Sequence, residues 1–313
     1  MTSAPPPFQR LPFDALPDPP RRPHPYFATA GRDVVVDSVP FGRIRIHVRE
    51  FGAGPPLLLV HGLMTSSYSY RYVLDALGAH YRLVIPDLPG AGKSDKPDVP
   101  YTAEALATFV GELVTALGLR GCACVANSLG GHLCMRTALR APETFSRLVN
   151  IHSPGFPIGR LWALAAALSI PGAPALVRTT IARAPERWVW RNVHYHDETL
   201  KSREETREYA APLATAEGRV AFLRYLRETM APRPFGAFVD ELRQRRQAGQ
   251  PFPVPLMLLF SRLDPLVPPS IGTRLHELIP EARMEWLADT SHFAHVDSPD
   301  RVVPLLLDFL RAA

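Results

Sequence analysis

Cysteine, lysine and long apolar runs are all scarce in this sequence, and each scarcity excludes something. The only cysteines are Cys122, Cys124 and Cys134. An odd count confined to one short segment does not make a disulfide framework, and no metal-like set of partners accompanies it. The three read as small buried apolar side chains in a reducing compartment. Lysine is limited to Lys93, Lys96 and Lys201, so the net charge of +5 and the pI of about 9.3 rest on arginine. The arginines are dispersed and accompanied by acidic residues. With no basic block interleaved with aromatics, nucleic acid is not indicated as a partner. Mild basicity leaves anionic substrates or membrane surfaces open beside the plainer reading of a solvated surface. The most apolar stretch, Trp162 to Val177, is broken by Pro171, Gly172 and Pro174 before it reaches membrane-spanning length. The first residues contain no apolar core of the signal-peptide kind. These features predict a cytoplasmic protein with no integral membrane span.

What is present is ordinary globular composition, 46% hydrophobic and 21% charged. A chain of 313 residues suits one large α/β domain with an insertion, or two small domains. Residues 1–38 read as a proline-rich arm, extended and partly mobile. Arg43 to Arg49 alternates like a half-buried strand at a sheet edge. Pro56 to Val60, Tyr81 to Pro86, the run from Cys122 and Arg147 to His152 are continuous apolar strands. Helical stretches intervene at Ser66 to Leu77 and Thr102 to Leu117. This alternation over residues 39–153 predicts a parallel sheet flanked by helices. From 154 to 232 the chain is helix-prone without strands, the composition of a lid or cap. The alternation resumes over 233–313, with strands at Val254 to Phe260 and Arg283 to Leu287 and helices at Phe235 to Gln247, Ser270 to Leu278 and Pro299 to Arg311.

The segment Gly121 to Leu133, GCACVANSLGGHL, runs from a buried strand through a tight turn at Ser128 into a helix. That context makes a G-x-S-x-G-like pattern a nucleophile elbow, which needs small residues two before and two after the serine. Ala126 and Gly130 meet the requirement. Taken alone, Ser128 reads equally well as a helix N-cap. Serine-based acyl transfer also needs a base, an orienting acid and N–H donors for the oxyanion. Asp264 follows one strand and His292 the next, in the chain order Ser, acid, His expected at strand ends. Asp289 is too close to His292 in sequence to orient it from a separate loop. Asp297 reads as a helix-start residue, and His295 as structural, with an exchange of roles with His292 left open. The oxyanion donors are assigned to the backbone N–H of Leu129 and of Leu63, the latter preferred over Met64. His61 reads as a residue that holds its loop by hydrogen bonds.

His61-Gly62, Asp87-Leu88-x-Gly90-x-Gly92-x-Ser94, Ala126-Asn127-Ser128-Leu129-Gly130-Gly131, the Asp264 turn and Ser291-His292-Phe293 together resemble the α/β-hydrolase superfamily, from about residue 40 to the end. The resemblance implies a mostly parallel eight-stranded sheet with a helical cap inserted after strand six. His61-Gly62-Leu63-Met64-Thr65-Ser66-Ser67-Tyr68 and the cap position are similar to the haloalkane dehalogenase and epoxide hydrolase branch. Those enzymes use aspartate as nucleophile, where this chain has Ser128. Leu63 also stands where many dehalogenases carry a polar halide-holding residue. Dehalogenation and epoxide opening need an alkyl-enzyme ester on a carboxylate, so both are disfavoured.

The expected activity is that of a serine esterase: hydrolysis of a carboxylic ester or lactone with a mainly apolar group, through Ser128, His292 and Asp264, with no metal or organic cofactor. Met64, Asn127, Trp162, Trp188, Trp190 and Phe293 are the candidate substrate-binding residues. For each tryptophan the competing reading is cap core. Two alternatives stand beside this: C–C bond hydrolysis or acyl transfer to peroxide by the same triad, and a hydrolase-fold ligand receptor with little turnover. A homodimer is left open.

Overall fold

Continuous apolar runs form the centre of the sheet, because a strand covered on both faces has no solvent side. The computed structural model describes residues 6–312. Its strands are β1 (Ala30–Ser38), β2 (Gly42–Phe51), β3 (Pro56–Val60), β4 (Arg82–Pro86), β5 (Cys122–Asn127), β6 (Phe145–Ile151), β7 (Leu256–Ser261) and β8 (Arg283–Leu287). They form one eight-stranded sheet in the order β1-β2-β4-β3-β5-β6-β7-β8. The β1–β2 and β2–β4 pairs are antiparallel and all others parallel. Successive side chains alternate between two cores. Leu58, Val60, Cys124, Leu258 and Phe260 face one, and Leu57, Leu59, Val125, Met257 and Leu259 the other.

Helices α1 (Leu74–Gly78), α2 (Ala103–Ala116) and α3 (Leu129–Arg140) link the first strands. After β6 comes a helical insertion of α4 (Gly159–Ser169), α5 (Ala173–Arg183), α6 (Pro185–Asn192), α7 (Arg203–Ala210) and α8 (Ala216–Arg224). Then α9 (Pro232–Gln247) leads back to β7, and α10 (Pro269–Leu278), α11 (Ala294–Asp297) and α12 (Pro299–Arg311) complete the chain. Helix α2 begins where its capping chemistry directs, with the Thr102 hydroxyl accepting from Ala105 N–H at 3.0 Å. The helix expected over Ser66 to Leu77 is instead a single 3-10 turn, Ser67–Tyr70, followed by the short α1. Asp87 Oδ1 accepts from the Ser67 amide at 2.8 Å, fastening that turn to the end of β4.

The arm is shorter than the sequence suggests. Residues 30–38 pair along their whole length with β2, so the sheet edge is β1, and Arg43 to Arg49 lies one strand inward. Val34 and Val36 of the edge strand pair with Ile46 and Ile44 on its core face, and polar pairs stitch it elsewhere. Asp33 takes both Arg45 and His47, and Arg32 takes Glu50. Upstream of β1, the arm crosses the helical insertion. Leu11 C=O accepts from Trp190 Nε1 at 3.1 Å, and Pro17 C=O accepts from the Arg203 amide at 2.8 Å. Phe13 is buried between the guanidinium groups of Arg203 and Arg187, which lie 3.8 and 4.6 Å from its ring centre.

The insertion is fastened to the sheet domain by a charged pair with no access to water. Arg71 Nη2 donates to Glu205 Oε2 at 2.5 Å, and Tyr195 O–H donates to the same oxygen at 2.6 Å. The Arg71 guanidinium is packed over the rings of Tyr68 and Tyr72, 4.5 and 4.3 Å from their centres. Removing one partner of such a pair strands the other charge in a low-dielectric interior, which costs about 3–5 kcal/mol. Glu205→Ala is therefore expected to lower unfolding stability by about that amount in urea titration, with Glu205→Gln losing less. A Glu205→Ala midpoint equal to wild type would show that the pair does not hold the insertion down.

Candidate active site

Ser128 sits between β5 and α3 in a backbone conformation that L-residues rarely adopt, φ 54° and ψ −122°. Its amide donates to Ile151 C=O at 2.7 Å, so the turn is tied to the adjacent strand. Close packing explains the glycines around it. A Cβ on Gly130 would lie 2.5 Å from the carbonyl oxygens of both Val60 and His61, and one on Gly62 would meet Ser128 Cβ at 3.0 Å. The Ser128 side chain makes no capping bond to α3, so its hydroxyl is not used as an N-cap.

Asp264, in the turn after β7, and His292, in the loop after β8, are joined by a 2.6 Å contact between Oδ2 and Nδ1. Burial pushes the Asp264 carboxyl up, but the His292 charge and hydrogen bond and the Val267 amide outweigh it and hold the group below the ordinary carboxylate value. Its other oxygen accepts from the amides of Leu266 (2.6 Å) and Val267 (2.9 Å). An ionised carboxylate in that position accepts the His292 Nδ1–H and turns Nε2 away from itself. Ser128 and His292 line the same cavity, of about 410 Å³, without being hydrogen-bonded to each other. Next to this pair, His152 accepts from the Ser261 amide at 2.5 Å, its ring centre 5.7 Å from that of His292. Burial pushes His152 down to about 3, so it is neutral. His295 hydrogen-bonds with Ser69 Oγ at 2.7 Å and stacks on Tyr70, outside the cavity wall.

Leu63 and Leu129 both border the cavity beside Ser128, and neither amide donates to a protein acceptor among the described residues. The loop carrying Leu63 is held by His61, whose Nδ1–H donates to Gly62 C=O at 2.8 Å and whose Nε2 accepts from the Leu88 amide at 2.9 Å. Met64, Trp188 and Phe293 are in the cavity wall. Asn127, Trp162 and Trp190 are not. Asn127 is buried behind the site and donates to the carbonyls of Ile151 (3.2 Å) and His292 (3.1 Å). Trp162 is 55% exposed, because the inward face of α4 is Leu161, Leu164 and Leu168. Trp190 lies two residues beyond Trp188, about 200° around the helix, and so meets the arm instead. The i, i+3, i+7 spacing of those leucines was the available signal for the cavity face of α4. No group of three or more His, Cys, Asp or Glu that could hold a metal ion occurs among the described residues.

The sequence family described as alpha/beta hydrolase fold matches residues 55–299. The chain belongs to that family, and the hydrolase class follows from fold and family together. Among characterised relatives it is 28% identical over 269 residues to haloalkane dehalogenase 2 of Mycobacterium tuberculosis, covering 85% of this chain and 91% of that protein. It is 26% identical over 277 residues to 2-hydroxy-6-oxo-2,4-heptadienoate hydrolase of Pseudomonas putida, covering 87% and 94%. The solved haloalkane dehalogenase DatA from Agrobacterium tumefaciens superposes with a TM-score of 0.74 at 25% identity, covering 92% and 99%.

Asp297 was expected to start a helix, but it ends α11, and Ser298 takes the capping position of α12. The Asp297 carboxylate instead clasps the His292 loop to the insertion, accepting from the Ser291 amide at 2.6 Å and the His196 amide at 2.9 Å. Burial raises this carboxyl to about 6, against the pull of those amides. A folded-state value above the ordinary 3.8 means that the fold binds this proton more tightly than the unfolded chain does. The resulting stability is complete below pH 3.8 and is lost as pH rises through about 6. Relative to Asp297→Asn, wild type is expected to lose on the order of 1–3 kcal/mol across that window, read from thermal unfolding at stepped pH. Parallel profiles for the two proteins would contradict this.

Proposed function

We propose that the protein is a serine hydrolase that cleaves a carboxylic ester or lactone bearing a mainly apolar group. The observation that carries this reading is the strained Ser128 turn opening on the cavity that also holds the carboxylate-oriented His292. Ser128 Oγ attacks the carbonyl carbon, and His292 Nε2 takes the hydroxyl proton. The amides of Leu63 and Leu129 donate to the oxyanion as it forms, having no competing acceptor to give up. His292 then returns the proton to the leaving alcohol oxygen. Water, deprotonated by the same nitrogen, attacks the acyl-enzyme, and the acid departs as Ser128 regains its proton. Asp264 stays ionised throughout and keeps Nε2 directed at the reacting atoms. The wall is dominated by leucine, valine, phenylalanine and methionine, which suits an apolar acyl or alcohol part.

The dehalogenase relatives do not redirect this reading, because a hydroxyl cannot form the alkyl ester that a carboxylate nucleophile forms. Hydrolysis of a C–C bond in a diketone-like substrate is the second reading, favoured by the likeness to the Pseudomonas putida enzyme. It uses the same three residues.

Hydrolysis of a p-nitrophenyl ester series of increasing acyl length, wild type beside Ser128→Ala, tests the proposal. The variant is expected to lose about 10³-fold or more in kcat/KM while retaining the wild-type circular dichroism spectrum. Equal activity in both proteins would remove Ser128 as nucleophile. A wild type inert on all esters but active on a dienone diketone would transfer the assignment to C–C hydrolysis, and binding without turnover would point to a receptor.

A further inference from the structure

The outer surface of α4 and α5 has no role in the chemistry described above, and its composition is unusual for this chain. No carboxylate side chain occurs between Glu143 and Glu186. The two helices meet at a 100° bend where Pro171 and Gly172, the latter at φ 83°, break the hydrogen-bond ladder. Ile170, at the bend, is 60% exposed, Leu176, in the first turn of α5, 67%, and Trp162, near the start of α4, 55%. Singly, exposed apolar side chains need no explanation; three on the outer surface of one helix pair do.

Arginines stand away from the bend: Arg160 at the start of α4, Arg178 in the middle of α5 and Arg183 at its end. Arg178 and Arg183 are exposed and make no hydrogen bond or ion pair among the described residues. Elsewhere on the insertion, Arg187, Arg203 and Arg207 are matched with Asp14 or Asp18 of the arm. Leu176 and Arg183 are seven residues apart, so they share a helix face with about 10 Å of axial separation. That is the depth difference between an acyl boundary and the headgroups above it. Each helix has 11 residues, about 16 Å, and neither can span a hydrocarbon core of about 30 Å. The elbow is therefore built to enter an interface and not to cross it.

We propose that the α4–α5 elbow docks this protein on an anionic lipid surface, with Ile170 and Leu176 in the acyl boundary, Arg183 at phosphate level and the long Arg178 side chain reaching up to it. Charge decides between this occupant and a second copy of the chain. Self-association would bring two unpaired arginine pairs together with no acid on either face, whereas an anionic bilayer neutralises them, each contact worth about fivefold in binding. The inward side of the same helices, Leu161, Leu164, Leu168 and Val177, lines the cavity that holds Ser128. A docked elbow thus places the lipid surface one helix thickness from the cavity.

Co-sedimentation of the full chain with vesicles of phosphatidylcholine alone, or mixed equally with phosphatidylglycerol, reads docking without any substrate. Wild type is expected to bind the anionic vesicles about tenfold or more tightly than the neutral ones, less so in high salt. The double variant Ile170→Glu/Leu176→Glu should lose binding to both, and Arg178→Glu/Arg183→Glu should lose only the anionic preference. All four positions are exposed, and unchanged thermal unfolding and ester turnover in free solution identify a folded control. Failure of wild type to sediment with anionic vesicles overturns the proposal, as does equal binding by Ile170→Glu/Leu176→Glu. A dimer in sedimentation equilibrium that this variant dissolves would assign the elbow to self-association instead.

Discussion

Much of this molecule depends on how closely three backbone segments approach one another at Ser128. The last residues of β3, the first turn of α3 and the end of β6 converge there with no space for a side chain at Gly130. The convergence holds the serine at positive φ, because the hydrogen bond from its amide to Ile151 C=O and the helix start that follows leave it no relaxed alternative. It also brings the His61–Met64 loop against the elbow, so the Leu63 and Leu129 amides border one cavity without being designed separately. Even the second arm of that loop is held from the sheet, through the bond from the Leu88 amide to His61.

The helical insertion shares an apolar core with the sheet domain, where Ile181, Val189, Val193 and Tyr209 join Tyr68, Tyr70 and Phe293, and polar contacts pin it in addition. Arg71 with Glu205, Asp297 with the Ser291 and His196 amides, and the arm's carbonyls and carboxylates each bind it from a different side. Buried charge pairs add little net stability compared with apolar packing, but they tolerate few alternative arrangements. An insertion held this way keeps one position over the sheet, and so fixes the shape of the cavity above Ser128 and His292. The same device makes the attachment sensitive to pH at Asp297, where desolvation opposes the charge that the two amides favour.

Helices α4 and α5 show how one element serves two surfaces. Leu161, Leu164, Leu168 and Val177 face the cavity, and Trp162, Ile170 and Leu176 face outward. Here the outward residues lack a protein partner among the described residues, and the neighbouring arginines lack acids, so the two deficits point to the same missing environment.

The strand-helix alternation, the small residues around Ser128 and the strand-end positions of Asp264 and His292 were readable from the sequence because each is a local rule. A buried parallel strand must be continuously apolar, and an elbow must be flanked by residues without bulk. The sheet order, the placement of β1 as the edge and the span of the arm were not readable, since edge pairing depends on which distant strand offers a free side. Side-chain direction on the insertion was equally hidden. Trp162, Trp188 and Trp190 look alike in a list of residues, yet one is exposed, one lines the cavity and one anchors the arm, because helical phase counts only once a partner surface exists. Asn127 shows the same limit, with its neighbour Ser128 on the cavity and its own amide turned back to carry the His292 loop. Local spacing therefore determined which chemistry the chain can carry, and only the tertiary packing decided which side chains meet it.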